Sequence, residues 1–359
     1  MTAPAGASPY AERRAALRRR LASGGIAALL VTALADVRYL SGFSGSSGRL
    51  LLTADGQGDA FVTDGRYAEQ AAAEVAGLQV VLDRTLDWLP ARLGVRPLAV
   101  DAAAVTWGQV RGLEGRVPRG VVAVGALVAE QRRTKDGGEV ALLRRAAAIT
   151  DEAFAAVLPE LAAGISERAV ARMLHSCMSE AGADATSHMI VAAGPNSARP
   201  HHQPTERILS AGDLLLLDFG CVVGGYHSDM TRTVALGDPG ARLREVHDLV
   251  HAAQAAALAA ATAGVTAGEL DARAREVIAA AGHGAHFVHP TGHGLGLELH
   301  EQPILAAGAG DTLGLRTAVT VEPGVYLAGL GGVRIEDDIV VTGGTADVLT
   351  TSPRGLLVL

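Results

Sequence analysis

The sequence predicts an α+β protein of two domains, the second of which is internally duplicated. Three observations support this fold class. The chain has 359 residues, 49% of them hydrophobic, which is long for one compact domain and sufficient for two cores. Apolar runs of strand length alternate with helical stretches in the first third. Segments that begin at Gly164 and Gly264 share one pattern.

The first domain is predicted over residues 1–129 as a small α/β domain. A helix is expected around residues 12–22, and the predicted strands are AALLVT, RLLLT, DAFVTD, LQVVL and PLAVD. The turn ADGQGD between the second and third of these strands predicts a hairpin. SGFSGSSG lacks the Gly-Lys-Ser/Thr of a phosphate-binding loop, so a flexible connection is the preferred interpretation.

The second domain is predicted over residues 130–359. The polar, glycine-containing segment EQRRTKDGGE, residues 130–139, marks the boundary. A long helix is expected from Glu139 to Ala163, where Gly164 would end it.

The two repeated segments are GISERAVARMLHSCMSEAG and GVTAGELDARAREVIAAAG, which begin one hundred residues apart. Each has a glycine, a β-branched residue, a Ser or Thr that can cap a helix, and an Ala-Gly end. Thr266 and Glu269 form a capping box, which supports the second helix start. LLLLDFG and YHSDMTRTV follow the first helix, and AVTVEPG and VRIEDDIVV follow the second.

Each repeat therefore offers one acidic residue at the end of an apolar strand and another inside the next strand. These residues are Asp218 and Asp229 in the first repeat, and Glu322 and Glu336 in the second. Singly, Asp218 could be a strand-end cap and Asp229 a surface partner of Arg232. Four carboxylates brought together by a pseudo-twofold axis would instead repel one another at a cost of several kcal/mol each. Two divalent ions would balance them.

A fifth ligand is predicted in HPTGHGLGLELHE, which holds His289, His293 and His300 among glycines. A proline follows His289, so this is not the helical zinc signature. A site with mostly oxygen ligands and one imidazole favours manganese, or else cobalt. Zinc and iron remain alternatives.

The charge pattern argues against two classes of partner. The net charge of −7 comes from residues of both signs spread along the chain, so neither a nucleic-acid groove nor a basic membrane anchor is expected. Two cysteines do not make a disulfide framework, which fits a reducing cytoplasm. The arginine-rich stretch before IAALLVTALA imitates a secretory signal, but a helix followed by a buried strand is preferred.

Together, LLLLDFG, YHSDMTRTV, HPTGHGLGLELHE, VTVEPGVY and GGVRIEDD resemble the proline-specific branch of the pita-bread metallopeptidases: Xaa-Pro dipeptidases (prolidases), Xaa-Pro aminopeptidases and creatinases. The similarity runs from about residue 135 to residue 349. DVRYLSGFSGSSG and FVTDGRYAEQA also resemble the creatinase-like N-terminal domain. The expected fold is thus a pita-bread domain after a small α/β domain.

The resemblance implies a role for each predicted ligand. Asp229 and Glu336 would bridge both ions, Asp218 would complete one metal shell, and His293 with Glu322 the other. A hydroxide held between the ions would be the nucleophile. Glu322 would also carry the proton towards the leaving prolyl nitrogen.

The resemblance implies further site residues around the metals. His201 matches a position that helps to hold the substrate, whereas the adjacent His202 does not. His289 and His300 match residues that bind the scissile carbonyl region and stabilise the tetrahedral intermediate. Arg334 would orient the bridging carboxylates or reach a substrate carboxylate, with a purely structural pairing as the alternative.

The expected activity is hydrolysis of the bond before proline in an Xaa-Pro dipeptide, by a homodimer. The single short N-terminal domain and the compact interval between Glu322 and Glu336 favour a dipeptidase over an aminopeptidase that acts on longer peptides. Asp36, Arg38 and Arg49, placed on a loop region, are candidates to grip the charged ends of a dipeptide. A metal-free binding module and a creatinase-type hydrolase are competing hypotheses.

Overall fold

The computed structural model describes residues 8–359, which form two compact units that meet between Arg132 and Arg133. The predicted boundary at residues 129 and 130 falls inside the last helix of the first unit, Leu127–Arg132. The assignment of domains to residues 1–129 and 130–359 stays a prediction.

The first unit contains a six-stranded mixed sheet. Its strands are β1 (Ala28–Val31), β2 (Arg49–Thr53), β3 (Ala60–Thr63), β4 (Val80–Leu82), β5 (Leu98–Asp101) and β6 (Val121–Val124). The order across the sheet is β4-β3-β2-β1-β5-β6. β2 pairs antiparallel with both β1 and β3, which confirms the hairpin at ADGQGD, and the other pairs are parallel. The five predicted strands are present, whereas β6 was not predicted.

Six helices accompany this sheet: α1 (Pro9–Ser23), α2 (Leu34–Ser41), α3 (Ala68–Glu74), α4 (Leu89–Leu93), α5 (Trp107–Glu114) and α6 (Leu127–Arg132). α1 contains the predicted helix at residues 12–22. The apolar run after it forms β1, every residue of which is buried in the middle of the sheet. The interpretation of this region as a helix and a buried strand is therefore confirmed.

The predicted placement of Asp36, Arg38 and Arg49 on a loop is wrong. Asp36 and Arg38 lie in α2, and Arg49 is the first residue of β2. Asp36 is 4% exposed, and its carboxylate accepts a 2.7 Å hydrogen bond from Arg132. A buried carboxylate already paired with a guanidinium is engaged in holding α2 and α6 together, so it is a poor candidate for a substrate contact.

The second unit consists of two halves of similar construction. The first half contains α7 (Gly137–Val157), α8 (Glu167–Glu180), β7 (Ala185–Ala193), β8 (Leu214–Val223), β9 (Tyr226–His227) and β10 (Met230–Ala235). The second contains α9 (Ala241–Ala260), α10 (Ala267–Ala280), β11 (Gly292–Gly294), β12 (Glu301–Leu305), β13 (Ala318–Val321), β14 (Gly324–Leu327), β15 (Gly331–Arg334), β16 (Asp337–Val340) and β17 (Asp347–Val348).

Each half packs two helices against antiparallel strands. The strand order is β10-β8-β7 in the first half, with β9 on β8, and β12-β11-β13-β16-β17 in the second, beside the hairpin β14-β15. Apolar residues of α7, α8, β7, β8 and β10 form one core, and those of α9, α10 and the second set of strands form another. The duplication predicted from the sequence is therefore present.

The two repeated helix starts have the same local structure. Gly164 and Gly264 have φ of 102° and 98°, a region that glycine enters without steric cost. Ser166 accepts a hydrogen bond from Ala169 N, and Thr266 accepts one from Glu269 N, as helix caps do. The predicted capping box at Thr266 is confirmed.

The predicted end of the long helix at Ala163 is wrong. α7 ends at Val157, and a 3₁₀ turn at Leu158–Glu160 follows it. Pro159 explains the difference, because a proline has no backbone N–H to continue the helical hydrogen bonds. Within residues 8–359, no helix has the length and apolarity that a membrane crossing would need.

Candidate metal centre

A cavity of about 670 Å³ lies within the second unit, and every metal ligand and substrate contact predicted in the second domain lines it. These residues are His201, Asp218, Asp229, His289, His293, His300, Glu322, Arg334 and Glu336. They come from both halves of the unit and are separated by up to 135 positions in the chain. The fold thus gathers the acidic residues of the two repeats at one place.

Asp218 lies within β8, opposite Thr231 of β10. The expectation that Asp229 lies inside a strand is wrong, because residues 228 and 229 form a break between β9 and β10. Asp229 N donates to the Asp338 carboxylate at 3.0 Å instead of to a strand partner. Glu336 likewise lies between β15 and β16, and its N donates to Thr231 O at 3.1 Å.

The chain around His293 must be free of side chains on either side. A Cβ at Gly292 would lie 2.0 Å from Thr320 O, and one at Gly294 would lie 2.4 Å from Gln302 O. β11 is therefore a short strand held tightly between β12 and β13 with the His293 imidazole directed into the cavity. Glu322 follows β13 directly.

The two carboxylate oxygens of Asp229 face different imidazoles. Oδ1 lies 3.0 Å from His188 Nε2, and Oδ2 lies 3.5 Å from His293 Nε2. Glu322 Oε1 lies 3.4 Å from the same nitrogen of His293. Atoms that bind one ion at about 2.1 Å lie roughly 3.0–3.5 Å apart, so this spacing suits a shared ion on each side of Asp229.

Two groups of three residues each bring their ligand atoms close enough together to hold a metal ion. His188, Asp218 and Asp229 form one, and Asp229, His293 and Glu336 form the other; within each group the atoms lie within 4.8 Å of one another. Asp229 belongs to both groups. A carboxylate shared in this way can bridge two cations.

The carboxylates repel one another in the absence of a cation. Burial, and then the charges of Asp229, Glu322 and Asp218, raise the pKa of Glu336 well above its usual range. Burial also raises the pKa of Glu322 to about 7, although the charge of His293 opposes the shift. The repulsion supports the expectation that the site holds positive charge.

His293, whose imidazole lies between Asp229 and Glu322, has a pKa that is shifted in favour of its charged form. Burial would lower the pKa of His293, but the hydrogen bond to Asp229 and the charge of Glu322 raise it to about 9. Burial would raise the pKa of Asp229, but the charge of His188 holds it well below its usual range. Positive charge next to Asp229 is therefore favoured, and a bound cation would supply it.

The donor set fits divalent ions. Among the described residues, Asp229 Oδ1 and Glu336 Oε1 are buried and accept no hydrogen bond of normal geometry. Buried carboxylate oxygens without donors are costly unless a cation or water satisfies them. Carboxylates with imidazole are ligands that manganese, cobalt, iron and zinc all accept.

Arg334 pairs with a predicted ligand and with a tyrosine. It is 3% exposed, and its guanidinium hydrogen-bonds the Asp218 carboxylate, donates to Tyr326 OH at 2.6 Å and donates to Thr231 Oγ1 at 3.0 Å. It therefore fixes Asp218 rather than standing free in the cavity.

Tyr326 connects Arg334 with His289. Its hydroxyl lies 2.8 Å from His289 Nε2, while His289 Nδ1 lies 2.8 Å from Pro290 O. Burial and the charge of Arg334 lower the pKa of His289 to about 4, so the neutral ring accepts from Tyr326 and donates to Pro290. Both nitrogens of His289 are engaged in this structure.

His201 and His202, although adjacent in the chain, have different surroundings. His201 is exposed and lines the cavity. His202 is 6% exposed and lies 2.9 Å from the Glu167 carboxylate, away from the metal ligands. His300 is exposed beside His293, with a ring-centroid separation of 4.3 Å.

Sequence reasoning missed His188 and Tyr326. His188 lies on β7, and its Nε2 is 2.6 Å from Asp218 Oδ1. Nothing in its spacing relates it to Asp218, because the contact forms across two strands. Tyr326 stands four positions after Glu322 in VEPGVY, and its place on an apolar strand gave the only available signal.

Comparison with known proteins identifies the family of the chain. Residues 141–343, more than half of the chain, match metallopeptidase family M24, and residues 13–134 match the creatinase/prolidase N-terminal domain. An uncharacterized peptidase of Bacillus subtilis is 40% identical over 351 residues, which cover 96% of this chain and 99% of that protein.

Two solved structures are also similar along nearly their whole lengths. An Xaa-Pro dipeptidase from Bacillus anthracis has a TM-score of 0.94 and 36% identity, covering 98% of this chain and all of that one. An X-Pro aminopeptidase from Thermotoga maritima has a TM-score of 0.90 and 34% identity, covering 96% of this chain and 99% of that one. The chain therefore belongs to metallopeptidase family M24.

Proposed function

We propose that this protein is an Xaa-Pro dipeptidase that uses two divalent metal ions. The observation that carries the proposal is the position of Asp229, whose two oxygens face separate groups of ligand atoms in one cavity. The similarity to a dipeptidase from Bacillus anthracis supports the substrate class.

Five residues are the proposed metal ligands: Asp218, Asp229, His293, Glu322 and Glu336. Asp229 and Glu336 are proposed to bridge the ions. When bound, the two ions would make a water molecule nucleophilic near neutral pH and polarise the scissile carbonyl.

The chain's own residues would orient the substrate and carry a proton from the attacking water to the leaving nitrogen. Glu322 faces the cavity and is the proposed carrier of a proton to the leaving prolyl nitrogen. His201 and His300, both exposed to the cavity, are the proposed hydrogen-bond donors to the substrate and to the developing oxyanion. His289 would exchange its contact with Tyr326 for one with the substrate.

Proline at the scissile bond suits this chemistry. A prolyl amide has no N–H, so the enzyme cannot recognise that proton and must act through the carbonyl and the leaving nitrogen. The metal ions and the histidine donors would act on the carbonyl, and Glu322 would act on the nitrogen.

The second candidate is an aminopeptidase that removes the residue before proline from longer peptides, as the similarity to the Thermotoga maritima protein allows. Hydrolysis of Met-Pro and of Met-Pro-Ala by metal-loaded protein separates the two. The proposal expects rapid hydrolysis of Met-Pro and much slower hydrolysis of Met-Pro-Ala. Comparable turnover of the tripeptide would replace the dipeptidase with the aminopeptidase.

Three finer assignments belong to the same proposal. Manganese is the proposed native metal, with cobalt and zinc as alternatives, and metal analysis of protein purified without added metal tests it. A homodimer is proposed, and light scattering after gel filtration tests it. A cytoplasmic location is supported by two cysteines that are both free, and cell fractionation tests it.

A further inference from the structure

We propose that His188 supplies a second imidazole to the metal centre, as a ligand of the ion that Asp218 and Asp229 hold. This inference rests on the two-metal site of the proposed function and adds a residue to it. It would give each of the two ions one nitrogen ligand.

The position of the His188 ring matches that of His293 on the other side of Asp229. His188 Nε2 lies 2.6 Å from Asp218 Oδ1 and 3.0 Å from Asp229 Oδ1. His293 Nε2 lies 3.4 Å from Glu322 Oε1 and 3.5 Å from Asp229 Oδ2. Each imidazole therefore presents its Nε2 to one oxygen of the shared carboxylate and to one oxygen of a second carboxylate.

The strand pairing brings His188 to Asp218. His188 of β7 lies opposite Gly220 of β8, two residues from Asp218, and a bulge between residues 186 and 188 shifts the register just before it. Side chains two residues apart share one face of a strand, so His188 is a diagonal neighbour of Asp218. A Cβ on Gly220 would lie 1.8 Å from Ser228 O, so the chain that leads into Asp229 packs directly against β8 at the residue opposite His188.

The remaining oxygen of Asp218 is already engaged. Asp218 Oδ2 accepts from Arg334, so Oδ1 is the oxygen that faces an ion. An ion about 2.1 Å from both Asp218 Oδ1 and Asp229 Oδ1 would lie within reach of the nitrogen that now contacts both atoms. Such an ion must either bind His188 or displace its ring.

A second imidazole changes the expected metal preference. Imidazole favours cobalt, zinc and iron, whereas an all-oxygen shell favours manganese. His188 would therefore raise the affinity for cobalt relative to manganese at the ion held by Asp218. A centre with two imidazoles would therefore bind cobalt or zinc more tightly, relative to manganese, than a centre with one.

X-ray absorption of the cobalt-loaded protein tests the proposal, because it counts imidazoles per metal ion. With two ions bound, two histidine ligands give about one imidazole per ion, and His293 alone gives about half. We expect about one for the natural protein and about half for His188→Gln. His227→Gln is the matched control, since His227 lies nearby and contacts Ser187 Oγ at 2.7 Å but belongs to neither ligand group, so it should keep about one.

Competition between cobalt and manganese gives a second measurement. His188→Gln should lower the preference for cobalt by on the order of tenfold or more, and the control should not change it. About half an imidazole per ion in the natural protein would overturn the proposal, even if His188→Gln failed to fold. Two bound ions and Xaa-Pro hydrolysis together with that result would leave the proposed function standing, whereas a failure to bind metal or hydrolyse Xaa-Pro would overturn the function itself.

Discussion

Asp229 has two carboxylate oxygens that face two different imidazoles, and its place outside a regular strand makes this possible. Its backbone N–H donates to Asp338, which holds the residue between β9 and β10. Both oxygens can then turn into the cavity. A carboxamide at this position would keep the shape and lose the charge that balances two cations.

Asp229→Asn is therefore expected to lower the metal content from two ions to one or fewer per chain. Turnover of Met-Pro should fall by on the order of a thousandfold or more, because metal activation of water is worth several kcal/mol. Elemental analysis and steady-state kinetics measure both effects. Asp238→Asn, at an exposed aspartate paired with Arg244, is the control. Full metal occupancy in Asp229→Asn would contradict the bridging role.

His247 belongs to the core of the second half rather than to the site. It is 1% exposed in α9, and neither of its ring nitrogens has a hydrogen-bond partner among the described residues. Burial lowers the pKa of His247 to about 4. The unfolded chain, with a pKa near 6.5, therefore binds more protons than the folded chain at intermediate pH.

The contribution of His247 to the free energy of unfolding should accordingly fall as the pH drops from about 6.5 to about 4. His247→Leu should not show this loss. Near pH 4 its free energy of unfolding should therefore exceed that of the natural protein by about 2 kcal/mol. Urea unfolding of both proteins in a chelator, from pH 7 to pH 4, isolates the difference. His175→Gln, at an exposed histidine of α8, should retain the natural pH dependence. A pH-independent difference between His247→Leu and the natural protein would refute this explanation.

The limits of sequence reasoning are clearest at single residues. The acidic residues were predictable because two repeats place the same chemistry in the same order, and His293 because it lies in a glycine-rich run with two further histidines. His188 was not, since its relation to Asp218 depends on strand register and on a bulge that no spacing reveals. Asp36 was misassigned because its burial against Arg132 is a tertiary contact.

Helices α8 and α10 each supply a buried carboxylate that holds a loop with a predicted imidazole. Glu167 of α8 accepts hydrogen bonds from Ala193 N, Asn196 and Thr205, at 2.6–3.0 Å, and contacts His202 at 2.9 Å. The segment fixed by these contacts includes His201.

In α10, Asp271 plays the equivalent part. It accepts from Thr291 N at 3.2 Å, from Thr291 Oγ1 at 2.8 Å and from Arg275 at 2.8 Å. Arg275 in turn donates to His289 O at 3.0 Å. Thr291 O accepts from Glu322 N at 2.7 Å, so this network positions both His289 and Glu322.

Glu167→Gln is expected to loosen the segment that includes His201. A glutamine cannot accept all these hydrogen bonds, so KM for Met-Pro should rise about tenfold or more with a smaller change in kcat. Elemental analysis should still find two ions per chain. Glu206→Gln, at an exposed glutamate paired with Arg168, is the control. An unchanged KM in folded Glu167→Gln would show that the network does not position the substrate.

The elements themselves were largely predictable. Helix caps, the hairpin turn and the strands of the first unit have local signals that the structure confirms. The end of α7 differs from the prediction because Pro159 ends the helix before the glycine signal at Gly164. β6 was not predicted because its four residues are all apolar although two of them are exposed. Its sequence therefore gives no alternation of apolar and polar residues that would indicate a strand.

At the scale of the whole molecule, duplication explains how an acidic site can form in a buried place. Each half has its own helices, strands and core, and these cores stabilise the positions of carboxylates that repel one another. The predicted pita-bread fold and the family resemblance are confirmed by the match to family M24 and by the solved relatives. The preference for proline cannot be read from the residues and comes from the resemblance alone.

Metal binding should consequently stabilise the folded protein. Free metal at about one hundred times its Kd adds about 2.7 kcal/mol per site to the free energy of unfolding. For a unit of this size, each site should raise Tm by roughly 5–10 °C. Thermal unfolding with cobalt and with a chelator measures this difference in Tm. The difference should be smaller for Asp229→Asn than for the natural protein. An identical Tm in both conditions would argue against a metal site among these residues.

The most direct measurement is anomalous diffraction from crystals of the cobalt-loaded protein. Two anomalous peaks should lie about 3.5–4 Å apart, one beside each oxygen of Asp229, with Asp218 next to the first and His293 next to the second. A single peak, or peaks away from Asp229, would contradict a site in which both repeats enclose a pair of cations.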